Sequence, residues 1–134
     1  MAVVRSEVLP LGSTLDIVNM RQAVRRRANE AGFSLVDQTK VVTAASEIGR
    51  NTIVYGLGGT ATLELLNDSD RRGVRITFED KGPGIPDIEL ALKDGYGTGS
   101  GMGLGLGGAR RLVNEFKIDS QVGEGTRIVL TRWK

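Results

Sequence analysis

The sequence contains no cysteine and no histidine. The first absence excludes disulfides and thiolate chemistry. The second excludes an imidazole base, a histidine metal ligand and a phosphohistidine. Aromatic residues make up only 4% of the chain. No apolar run approaches membrane-spanning length and the N-terminus carries no signal-peptide pattern, so no membrane and a cytoplasmic location are expected. Net charge is only +2, too weak to predict a nucleic-acid partner. The clusters Arg25–Arg27, Arg71–Arg72 and Arg110–Arg111 lack interleaved aromatics. They read first as solvated faces and second as a docking surface for an acidic partner. An apolar content of 40% and a charged content of 25% are ordinary for a globular protein. At 134 residues the chain is expected to form a single domain over 1–134 with a two-layer core.

Glycine is what the chain has in plenty, with 19 in all. The richest stretch is Asp94 to Arg110, DGYGTGSGMGLGLGGAR, and it runs into a helical pattern over Gly107–Phe116. Ordering glycine costs backbone entropy, so such a run inside a small domain needs a purpose. Bare amides followed by a helix N-terminus suit phosphate, which predicts a phosphate-binding lid; a plain flexible linker ranks below it. Gly103, Gly105 and Gly108 form G-x-G-x-x-G with Glu124 about twenty residues on. A dinucleotide site is nevertheless excluded, because that fingerprint must follow a strand directly. The companion motifs of protein kinases are missing, and no P-loop occurs.

Along the chain, Ala2–Leu9 reads as an edge strand that Pro10 ends. Ser13 or Thr14 caps a helix reaching about Ala31, with Ile17, Met20, Val24 and Ala28 as its apolar stripe and Arg25–Arg27 largely off it. Ser34 and Asp37 open a second helix to about Tyr55, stopped by Gly56, with Leu35, Val42, Ile53 and the small residues Thr39, Ser46 and Gly49 near one stripe. Glu47 and Asn51, four apart, share a face of that helix; alone, the pair reads as surface. Thr60–Leu66 and Val74–Asp80 alternate as a hairpin. Asp80 has the parity of Val74, Ile76 and Phe78, so its carboxylate points toward the buried layer, where a charge needs a partner, a ligand or an exit to water. A turn at Lys81–Pro86 and a short helix over Asp87–Lys93 follow. A hairpin of Ile118–Val122 and Thr126–Trp133 ends the chain, and Thr126 leans to the same face as Asp80. The expected class is α+β: a mixed, mainly antiparallel sheet with helices on one face.

Glu47-x-x-x-Asn51, Asp80-x-Gly82-x-Gly84, Gly101-x-Gly103-Leu104-Gly105-Leu106 and Thr126 after Gly123-Glu124-Gly125 occur in this order. The constellation resembles the Bergerat, or GHKL, ATP-binding fold, a two-layer sandwich. The resemblance implies that Asp80 accepts a hydrogen bond from the adenine amino group, with Gly82 and Gly84 making room for the base and Thr126 supporting it. It implies that Asn51 helps to hold Mg²⁺, that the lid around Thr98, Gly101, Gly103, Leu104 and Gly105 cradles the ATP phosphates, and that Glu47 is the catalytic acid–base group.

Large companion domains are not expected, and the sequence has no phosphorylatable histidine. A free-standing domain of this size resembles the anti-sigma-factor serine kinases of bacteria, and within them the stressosome switch kinases. Asp16-Ile17-Val18, Arg21-Gln22, Gly32-Phe33, Val36-Asp37-Gln38, Ser46-Glu47 and Asp80 to Asp87 carry that likeness. It implies transfer of the ATP γ-phosphoryl group to a serine or threonine of a STAS-domain protein. A PPM-type phosphatase or a sigma factor is implied as a second partner, and a homodimer is allowed. An ATP-gated binding module with little kinase activity is the alternative. The glycine-richer lid, with Gly97, Gly99 and Gly108, departs from the subfamily pattern.

Overall fold

The computed structural model describes residues 1–93 and 105–134. Strand β1 (Ala2–Leu11) leads into helices α1 (Thr14–Glu30) and α2 (Leu35–Val54). Strands β2 (Gly59–Asp68) and β3 (Arg71–Asp80), helices α3 (Ile88–Ala91) and α4 (Gly105–Arg111), and strands β4 (Glu115–Gln121) and β5 (Gly125–Trp133) complete it. The five strands form one sheet in the order β1-β2-β3-β5-β4. Every ladder in it is antiparallel, so the expected mixture of directions does not occur among the described residues. No helix there is long and apolar enough to cross a membrane.

Local chemistry sets the helix starts. Ser13 Oγ accepts the Asp16 amide at 3.3 Å, satisfying an orphan donor of α1, while Asp16 Oδ2 reaches back to the Gly12 amide at 2.8 Å and ties down the chain that enters the helix. Ser34 Oγ does the same for Asp37 at 3.2 Å. Gly32, just past the end of α1, has φ +82, the left-handed backbone that ends helices.

The core lies between the helices and one sheet face. Met20 and Val24 of α1 and Ile48 of α2 pack over Leu63, Ile76, Phe78 and Leu130, all at 1% exposure or less. Burying each such side chain contributes about 1.5–3 kcal/mol. The alternation read in β2 and β3 is therefore the buried face.

Five expectations are corrected. Pro10 does not end β1, which runs on to Leu11 paired with Gly59; β1 is an edge, where a missing amide can face solvent. Leu35 is 71% exposed, because the buried stripe of α2 follows Val41, Ala44, Ala45, Ile48 and Thr52. Arg27 is buried, not off the stripe, and its guanidinium reaches Glu30 at 2.7 Å and Glu7 at 3.4 Å. The helix placed at Gly107–Phe116 ends at Arg111, and Glu115 and Phe116 already pair with Thr131 and Leu130 in β4. The short helix expected over Asp87–Lys93 spans only Ile88–Ala91, with Asp87 as its cap.

Candidate functional site

The site is built where β3 ends. Asp80 and Thr126 are direct partners across the β3–β5 ladder, so strand parity aims both at the helical layer. Asp80 Oδ1 accepts two backbone amides, Gly82 at 3.0 Å and Thr126 at 3.2 Å. Charge-assisted bonds of this kind fix a carboxylate. The other oxygen abuts Gly56 so closely that a Cβ there would collide with it.

Asn51, Thr52, Tyr55 and Gly56 from the end of α2, together with Asp80 and Thr126, line a cavity of about 640 Å³. The rest of its wall is mostly apolar, with Ile85, Pro86, Leu90, Ala91, Leu106 and Ile128 beside Gly84 and one further carboxylate residue, Asp87. An apolar slot with a few convergent polar groups is the usual form of a small-molecule site, and this one has an anionic acceptor at one end. The Asn51 side-chain amide has no hydrogen-bond partner among the described residues.

Glu47 sits one turn back along α2, with its side chain only 14% exposed. Its Oε2 accepts the amide of Gly105, the first residue of α4, at 3.4 Å, and its Oε1 lies 3.5 Å from Arg50 Nη1. A carboxylate thus stands at the start of the helix that follows the glycine-rich stretch, where anions are favoured.

Of the sequence-predicted residues, Asn51, Asp80, Gly84 and Thr126 line the cavity, and Glu47 and Gly105 meet beside it. Gly82 and Gly84 are also demanded by close approaches of the chain. The space of a Cβ on Gly82 is taken by the Gly56 backbone, and at Gly84, with φ +81, by the Gln121 carbonyl. They let three chain segments close around Asp80. Thr98, Gly101, Gly103 and Leu104 lie outside the described residues. Sequence reasoning missed Gly56, seen only as a helix stop, and the apolar part of the wall, whose members are scattered over three elements and a turn. It also missed Ser120, a β4 residue whose hydroxyl lies 2.8 Å from that of Thr126.

The geometry has parallels among known proteins. A family model described as histidine kinase-, DNA gyrase B-, and HSP90-like ATPase matches residues 36–134. Serine/threonine-protein kinase RsbT of Bacillus subtilis is 45% identical over 118 residues, covering 88% of this chain and 89% of that protein. The crystal structure of the RsbU and RsbW domains of Rv1364c from Mycobacterium tuberculosis matches at TM-score 0.67 and 23% identity. That match covers 96% of this chain and 32% of the mycobacterial one. The SiaB-SiaC complex from Pseudomonas aeruginosa matches at TM-score 0.56 and 16% identity, over 98% of this chain and 91% of that chain. The two structural likenesses bear on the fold alone.

Proposed function

This chain belongs to the histidine kinase-, DNA gyrase B- and HSP90-like ATPase family and is an ATP-dependent serine/threonine-protein kinase, and we propose that it phosphorylates a STAS-domain protein in a bacterial partner-switching pathway. The acceptor is a serine or threonine hydroxyl, and phosphorylation frees the kinase to engage a PPM-type phosphatase or a sigma factor. The observation that carries this reading is the seating of Glu47, next to the cavity and one helical turn from Asn51. A carboxylate there has work that pure nucleotide storage does not require.

The resemblance implies the roles, and the contacts around Asp80, Thr126 and Glu47 support them. Asp80 accepts a hydrogen bond from the adenine amino group, and Thr126 supports the base beside it. Gly82 and Gly84 hold the closed loop that presents Asp80. The amides of Gly101, Gly103 and Gly105, with Thr98 and Leu104, receive the phosphates. Glu47 orients the acceptor hydroxyl and takes its proton as the γ-phosphoryl group moves to that oxygen and ADP leaves.

Mg²⁺ fits the donor set. The unpartnered Asn51 side chain offers a hard oxygen, and a Mg²⁺ ion shared with phosphates needs only one or two protein oxygens. No cluster of three or more acidic ligands is present among the described residues, and none is needed. When bound, the ion neutralises phosphate charge.

The test is incubation with γ-labelled ATP and candidate STAS proteins. The expected result is label on a partner serine or threonine, lost in Glu47→Ala. A protein that binds a STAS partner in an ATP-dependent way but never labels it is instead an ATP-gated binding module.

A further inference from the structure

Ser120 is a node of hydrogen bonds between three segments. Its Oγ accepts the Ile85 amide at 2.7 Å, lies 3.2 Å from the Gly125 carbonyl, and lies 2.8 Å from Thr126 Oγ1. Ile85 and Thr126 both line the cavity, and the Thr126 amide bonds to Asp80 at 3.2 Å. Ser120 itself does not touch the cavity lining as a wall residue. It stands behind one.

The two hydroxyls carry one hydrogen each, which leaves two arrangements. In the first, Ser120 donates to the Gly125 carbonyl and Thr126 donates to Ser120, so Thr126 shows the cavity only lone pairs. In the second, Ser120 donates to Thr126, and the Thr126 hydrogen is free to point into the cavity. The second gives up the longest of the Ser120 contacts and keeps the shorter two. A base with an amino group beside an acceptor ring nitrogen matches it: the amino group donates to Asp80, and the ring nitrogen accepts from Thr126.

We propose that Ser120 is a positioning residue that turns the Thr126 hydroxyl outward as a donor to the nucleobase. This rests on the ATP-binding reading above. Ser120 touches no substrate atom and acts through Thr126. A purely structural Ser120 would instead act through the Ile85 loop and the Gly125 carbonyl, independently of the threonine hydroxyl.

A double-mutant cycle on ATP affinity separates the two, because coupling appears only where one residue acts through the other. The proteins are the parent, Ser120→Ala, Thr126→Val and the double variant, measured by calorimetry with unfolding curves alongside. Each single change is expected to weaken ATP binding by about three- to tenfold, the worth of one neutral hydrogen bond. The double variant should match the weaker single one within about twofold. Ser120→Thr, which keeps the hydroxyl, should restore affinity. Losses that multiply in the double variant overturn the proposal, as does a Ser120→Ala that binds like the parent. If Ser120→Ala fails to fold, Ser120→Cys takes its place in the same cycle. A parent that binds no ATP strikes the nucleotide reading instead.

Discussion

Glu47 Oε2 accepts the first amide of α4, that of Gly105, at 3.4 Å. The bond is long, and its partner belongs to the helix that follows the glycine-rich stretch. Glu47 is thus engaged on both oxygens, the second facing Arg50 at 3.5 Å. On the proposed reading, an incoming phosphate that takes the Gly105 amide would release one carboxylate oxygen for the acceptor hydroxyl.

Glu47→Gln keeps an oxygen for that amide but cannot take a proton. Loss of a general base lowers rates by about 10²–10⁴-fold. The variant is expected to bind ATP within about threefold of the parent, less than the worth of one hydrogen bond. Calorimetry and label incorporation into the partner together check this. Transfer at the parental rate would make Glu47 structural. Arg50→Ala removes the exposed member of a long 3.5 Å pair and should change stability by less than about 1 kcal/mol, read from denaturant midpoints.

Asp80→Asn tests base reading. The asparagine oxygen can still accept the Gly82 and Thr126 amides, so the fold should hold. A hydrogen bond to a charged group is worth about 1.5–3 kcal/mol, so ATP affinity should fall by about 10- to 150-fold. The preference for ATP over GTP should shrink with it, since guanine offers a carbonyl where adenine offers an amino donor. Competition binding with both nucleotides measures the ratio; an unchanged preference would remove Asp80 from the base-reading role.

Gly56→Ala places a methyl group against the Asp80 carboxylate and close to the Thr52 carbonyl. Overpacking of this kind costs about 1–3 kcal/mol. Because the displaced group is the proposed base reader, ATP affinity should fall more steeply than stability does. Paired thermal melts and calorimetry give the comparison, and a variant that binds ATP normally would show that Asp80 tolerates the shift.

Asp37 receives the Arg132 guanidinium at 2.6 Å. That hydrogen bond, reinforced by charge, holds its carboxyl below the ordinary value of 3.8. A depressed folded value means stability that is fully present above pH 3.8 and is lost as pH falls through the lower folded value. Asp37→Asn should therefore be less stable than the parent at neutral pH and should converge with it in acid. Urea midpoints across pH 2 to 7 measure the convergence; parallel curves would mean that the pair contributes nothing.

Much of this was legible in the residues. The alternation of Val74, Ile76 and Phe78 fixed the side of the sheet that Asp80 faces. The same parity in Thr126, Ile128 and Leu130 put Thr126 beside it, and the ladder pairs the two directly. Ser13 and Ser34 marked both helix starts. Ser120 stayed hidden because Glu115 and Phe116 fit a helical continuation of α4, so β4 was entered late and its phase went unread. Pairing with β5 overrides that local pattern. Leu35 misled because apolar character alone does not fix the phase of a stripe, and the small residues Ala44, Ala45 and Gly49 carry the real contact. Gly56 owes its place to a carboxylate 24 positions away, a demand no local signal records.

The strand order β1-β2-β3-β5-β4 also governs the order of events as the chain leaves the ribosome. Asp80 is made early, but its neighbour in the sheet is the last strand of all. Until β5 emerges, β3 has a bare edge and Asp80 lacks the Thr126 amide that steadies it. Closing that long-range pairing costs loop entropy before any contact repays it. A nascent chain stalled before Gly125 carries nearly every residue of the nucleotide site and yet has no assembled place to hold one.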